Sequence, residues 1–195
     1  MGLLDILLGR TKPVAPDLDR LFALPSAAVA LEAATGFAPT GQGAVCFATV
    51  EGAAFEQTHR EVRALLDADT DREGPPVDLR RDEYGYSWLV SRRSPEQVPE
   101  LVNDLHAVNS SMEVNGFGPQ LLCSLAVFRQ PEDGRSLALV YLYKRGTFYP
   151  FAPLPGAGQR RDNPLELRVR AALDGDLPME RDLGRWFPLW GAPGL

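Results

Sequence analysis

The sequence predicts an α+β fold: a mostly antiparallel sheet of about five or six strands with helices packed on it. Three observations carry this expectation. Two pairs of strand-like runs, 77–92 and 121–143, each double back over a short polar turn. Runs with apolar residues at helical spacing are interspersed between them. The composition, 45% hydrophobic and 24% charged over 195 residues, suits one globular domain over residues 1–195 with a proper core.

Taken in order, Leu3, Leu4, Leu7 and Leu8 recur at helical spacing and predict an N-terminal helix over residues 1–10. That helix could pack on its own domain or dock on a membrane surface or partner. It is far too short to span a bilayer and lacks the basic start of a signal peptide. Thr11 to Asp17, with Pro13 and Pro16, reads as a linker. Ser26 is positioned to cap a helix running to Thr35, with Gly36 closing it. Gly43 to Val50 reads as a buried strand, and Ala53 to Asp67 as a helix with Phe55, Val62, Leu65 and Leu66 on one stripe.

The polar stretch Asp69 to Pro76 is a loop. Val77 to Arg81 and Tyr84 to Arg92 form a hairpin, with Tyr84, Tyr86, Trp88 and Val90 on one face of the sheet. Ser94, Pro95 and Gln97 read as N-cap, first helical residue and capping box of a helix with Leu101, Leu105, Val108 and Met112 inward. It stops at Gly116. Leu121 to Arg129 and Leu137 to Tyr143 are apolar on both faces, hence interior strands. The chain then breaks at Lys144-Arg145-Gly146 and leaves through an aromatic, proline-containing segment. A last helix is capped by Asn163 and ends near Gly175.

Chemistry is hard to find. Net charge is −6, and the Arg and Lys pairs are short and read as solvated turns. Binding nucleic acid by bulk charge is not expected, because phosphate neutralisation needs clustered cations. There is no phosphate-binding glycine loop, no GxSxG elbow and no metal-ligand spacing, so neither cofactor nor metal is expected. Cys46 and Cys123 read as small buried hydrophobes within strands. A sharper alternative makes His106 a base for Cys123, but nothing in the sequence places the two side chains together. The tail over residues 184–195 carries Trp186, Phe187, Leu189 and Trp190. Such aromatics either fasten the tail to its own domain or anchor a partner.

Five segments carry a family likeness: MGLLDILLGRTKP at the start, Leu21 to Phe37, Leu105 to Leu125, YLYKRGTFYPFAPLPG within 141–156, and the closing RWFPLWGAPGL. Together they resemble the PspA-associated protein PspAB family across the whole chain. The resemblance implies a role near a phage-shock type of envelope stress response. By gene neighbourhood it implies the context of PspA, a membrane-remodelling coiled-coil protein, and of HtpX-type membrane metalloproteases. It brings no catalytic residues. The element order is also loosely similar to type III secretion chaperone-like folds, an analogy that warrants no function.

The expectation is therefore a non-enzymatic adaptor or regulator, cytoplasmic or peripheral at the inner face of the cell membrane. Its partners would be a PspA-like protein or an HtpX-type protease. Candidate contacts are Leu3, Leu4, Leu7, Lys144, Arg145, Tyr149, Trp186 and Trp190. The alternative is a small-molecule or lipid-sensing domain. Its pocket would lie between the face bearing Tyr84, Tyr86 and Trp88 and a covering helix.

Overall fold

A computed structural model describes residues 17–156 and 158–195. The expected helix over residues 1–10, with Leu3, Leu4 and Leu7, lies outside the described residues. Among those described there are four helices: α1 (Leu24–Thr35), α2 (Ala53–Asp67), α3 (Val98–Val114) and α4 (Asn163–Leu173). Six strands accompany them: β1 (Ala38–Ala48), β2 (Asp78–Arg81), β3 (Tyr86–Arg92), β4 (Leu121–Arg129), β5 (Ser136–Leu142) and β6 (Thr147–Phe151). They form one sheet in the order β2-β3-β1-β4-β5-β6. Every neighbouring pair is antiparallel. The fold is α+β, as the two hairpins predict.

Proline moves several helix starts away from the sequence-based positions. A helix beginning at Pro95 would bury Pro99 in its interior, where the missing N–H and the ring clash break the ladder. The chain instead makes a turn at Ser94, whose carbonyl accepts from Gln97 N, and α3 opens at Val98 with Pro99 in its first turn. Gln97 still accepts from Ser94 N at 3.4 Å, so half of the expected capping box survives outside the helix. Ser26 does not cap α1. A 3-10 turn over Leu18–Ala23 runs straight into Leu24 and places Pro25 in the first turn. For α4 the cap is Asp162, not Asn163: its Oδ1 accepts from Leu165 N at 3.0 Å, and its charge suits the positive end of the helix.

Strand β6 is a strand the sequence reading did not assign, because Pro150 argues against it. Pro150 sits opposite Leu139 on the outermost strand, where one side of the ladder needs no donor. Strand β1 starts earlier than expected because Gly41 makes a bulge. Gly41 has φ +73°, and an added Cβ would stand 2.0 Å from the Arg93 carbonyl oxygen.

The sheet is apolar on both faces. All four helices pack on one of them, around Leu31, Phe47, Leu89, Leu105, Leu139 and Val169. Across the sheet lies a second cluster that includes Trp88, Leu125, Val140, Tyr149, Phe151 and Trp186.

At the edge of the helical layer sits a buried ionic cluster. Asp104 on α3 is 2% exposed. It accepts from Arg93 Nε and Nη2 at 2.9 and 2.7 Å, from Arg72 Nη2 at 2.9 Å and from Ser91 Oγ at 2.5 Å. Asp69 pairs with Arg93 from the other side at 2.8 Å. The hydrogen bonds to Asp104, acting against burial, hold the Arg93 guanidinium firmly charged. Arg93 is thus not the solvated turn residue that its Arg-Arg setting suggests. The loop carrying Asp69 and Arg72 is fixed to α3 and β3. Removing one partner from such a cluster leaves buried charge uncompensated. Asp104→Ala is expected to cost about 3–5 kcal/mol in urea unfolding, and a loss below about 1 kcal/mol would mean the cluster behaves like a surface pair.

Candidate functional site

The helix-free face of the sheet is covered by the C-terminal tail. Trp186 stacks on Tyr149 with ring centroids 6.1 Å apart, and Trp190 meets Phe151 edge-on at 5.0 Å. Three hydrogen bonds fasten the tail from its flanks. Tyr149 Oη donates to the Phe187 carbonyl at 2.9 Å, Trp186 Nε1 donates to the Glu180 carbonyl at 3.1 Å, and Arg161 Nη1 donates to the Trp186 carbonyl at 2.6 Å. Arg161 also holds the buried Glu166 of α4 through Nε at 2.9 Å and lies over the Phe151 ring. Burial raises the Glu166 carboxyl, against the donors Ala152 N and Arg161 that hold it down. Tyr149 is likewise pushed well above an ordinary phenol, chiefly by burial.

Among the described residues, one transverse row of the sheet lies next to the tail. Trp88, Cys46, Cys123 and Leu142 stand opposite one another across β3, β1, β4 and β5. The two small thiols between two large side chains make a trough. It opens into a groove of about 1030 Å³. Tyr84 and Tyr86 flank it on the hairpin side, Phe187 to Trp190 on the tail side, and Lys144, Arg145 and Arg185 supply its positive charge. Asp82 also lines the groove, but its carboxylate is spoken for. Oδ1 accepts from Tyr84 N and Tyr86 N, and Oδ2 accepts from Trp88 Nε1. Arg185 pairs with Glu180 and Asp182 at 3.5 Å. Lys144 and Arg145 are exposed and have no carboxylate within 4.0 Å among the described residues.

Cys46 and Cys123 are both unbridged, at 3% and 6% exposure. The Cys46 thiol is pushed far up by its hydrogen bond with Cys123 and by burial, which disfavours the thiolate. His106 is nowhere near them. It sits on α3 in the helical layer, against Phe22 and Asp19, whereas Cys123 faces the tail. The sheet separates the two, so the arrangement offers no Cys–His couple. Among the described residues no group of three or more His, Cys, Asp or Glu side chains could hold a metal.

Of the residues picked out from the sequence, Lys144, Arg145, Tyr149 and Trp190 line this one groove, and Trp186 packs beside it. Tyr149 and Trp186 are buried, at 1% and 5% exposure, and their contact is with each other. The helix expected to cover the face bearing Trp88 is not there: the tail borders the groove, because the buried faces of all four helices are spent on the opposite side. The sequence reading did not align Cys46 with Cys123, nor assign Asp82 and Arg161 their structural roles. For Asp82 a signal existed: an Asp that opens a tight hairpin turn accepts the backbone N–H two residues on.

A family model described as PspA associated protein B matches residues 1–194. The chain belongs to the PspAB family. No curated protein and no solved structure matches it. The family is described by association with PspA, and no helix among the described residues is long and apolar enough to cross a membrane.

The tail contacts in this PspAB-family chain generate a measurable expectation. Trp186→Ala empties a packed site and should cost about 3–5 kcal/mol, whereas Tyr149→Phe loses one hydrogen bond and should cost about 1 kcal/mol. Chemical denaturation measures both, and a Trp186→Ala protein as stable as the parent would mean the tail is not fastened as described.

Proposed function

We propose that this PspAB-family chain is a non-enzymatic adaptor or regulator in a phage-shock-like envelope stress response, docking on a PspA-like protein. The observation that carries the reading is the family match over essentially the whole chain to a description of association with PspA. The fold supplies a surface suited to the task. Phe187 is 57% exposed, and it meets Trp190, Lys144 and Arg145 around one apolar groove. Aromatic and cationic side chains in such a setting are the usual carriers of binding energy. A membrane protease of the HtpX type is the second candidate partner, and the inner face of the membrane the expected place of work.

A second reading is favoured by the groove itself. At about 1030 Å³ it is at the upper end of the size of small-molecule sites, which suits a ligand-sensing or lipid-sensing domain with its pocket between sheet and tail.

The adaptor reading is tested by crosslinked, tagged recovery from cells under envelope stress. The PspA-like protein should be enriched with the parent chain and fall by about tenfold with Phe187→Ala. Absence of the PspA-like protein, or equal recovery by the variant, would count against the reading.

A further inference from the structure

We infer that the groove between sheet and tail binds a single-chain anionic amphiphile: one acyl chain carrying a carboxylate or phosphate head. The inference rests on the ligand-sensing reading above and names its ligand. It follows from what the groove offers and what it lacks.

The floor is the row Trp88, Cys46, Cys123 and Leu142, apolar and without an available charge. A peptide laid on it would need partners for its own N–H and C=O groups, and leaving them unpaired in a dry groove costs about 1–3 kcal/mol each. The site is a sheet face, not an edge. The strands beneath it are paired on both sides by their neighbours, so the floor has no backbone ladder to extend. Two of the polar groups nearby are already engaged: Asp82 by the hairpin and Trp88, and Tyr149 by the Phe187 carbonyl. An unbranched hydrocarbon chain asks nothing of such a floor beyond burial.

The head group is set by the mouth. In a chain of net charge −6, this opening carries Lys144 and Arg145 with no carboxylate partner among the described residues, and Arg185 close by. Two adjacent exposed cations with no carboxylate within 4.0 Å among the described residues, lining an apolar trough, complement an anion held at the water boundary. Their alkyl stems can lie along the chain while the charged ends meet the head. Arg is well matched to the paired oxygens of either a carboxylate or a phosphate. A neutral or cationic head gains nothing there.

The test uses the full chain, with each lipid below its micelle concentration. Hexadecanoate, monopalmitoyl-lysophosphatidate and hexadecanol are compared by native mass spectrometry for stoichiometry and by tryptophan fluorescence, since Trp88 and Trp190 line the groove. Inorganic phosphate is the head-only control. One anionic lipid per chain is expected, with hexadecanol at least about tenfold weaker. Lys144→Glu with Arg145→Glu should abolish that preference, and because both residues are exposed the double variant should melt with the parent. Cys123→Phe should block the trough to every lipid and to hexadecanol. Tighter binding of either hexadecanoate or lysophosphatidate supports the inference and tells which head is preferred. Hexadecanol binding as well as the anions, with no effect of charge reversal, would overturn the inference while leaving the groove a ligand site. Binding by none of the lipids would sink both. Multiple lipids per chain, or phosphate alone binding as tightly as lysophosphatidate, would also overturn it.

Discussion

A sheet that is apolar on both faces must be covered twice, and the described residues supply one layer of helices. The rest of the architecture follows from that constraint. The interior strands β3, β1, β4 and β5 each carry a run of five or more buried residues, so exposing either face would give up about 25 cal/mol for each Å² of apolar surface. Helices α1 to α4 all take one face. The other is left to a tail that contributes Trp186, Leu189, Trp190, Ala192 and Leu195. Six strands at about 4.8 Å spacing make a sheet roughly 24 Å wide. A short irregular segment cannot cover that breadth, and the groove is the part that the described residues leave open.

The tail lacks regular structure, so something else must define its path. Aromatic stacking contributes area, but the three flanking hydrogen bonds set direction. Two of them end on the carbonyls of Trp186 and Phe187, groups that helix or sheet would otherwise satisfy. Arg161 ties this path to Glu166 of α4, so it connects the two layers around the edge of the sheet. Asp104 plays a comparable part at the opposite side, joining a loop, a strand and α3 through Arg72, Ser91 and Arg93. In both places a buried carboxylate organises chain segments that hydrophobic burial alone would leave undirected.

Much of the fold was legible because its signals are local. Alternation at Tyr86, Trp88 and Val90, and the helical stripe at Leu101, Leu105, Val108 and Met112, are periodic patterns that need no partner to be recognised. What was not legible depends on neighbours. Pro150 reads as a strand breaker until β6 is known to be outermost. Pro99 changes the start of α3 only once the competing start at Pro95 is weighed against it. Arg93 looks solvated until Asp104 is seen folding onto it from α3. Of the candidate site, Lys144, Arg145 and Trp190 were identifiable as residues, but their meeting at one groove depends on register. So does the alignment of Cys46 with Cys123, which lie more than seventy positions apart.

The strand order also sets a timetable for folding. Strands β4, β5 and β6 follow one another directly and pair in that sequence, so they form a meander of low closure entropy. Strand β1, although first among the described strands, is inserted between β3 and β4, and its pairing with β4 joins residues 74 to 91 positions apart. Contacts of that separation are the slow ones. The meander is therefore the natural nucleus, and the docking of β1 is the step that unites the two halves of the sheet. Substitutions at Val140 or Leu125 should retard folding, whereas those at the β1–β3 seam should chiefly quicken unfolding. Stopped-flow kinetics showing the reverse would place the nucleus at β1 instead.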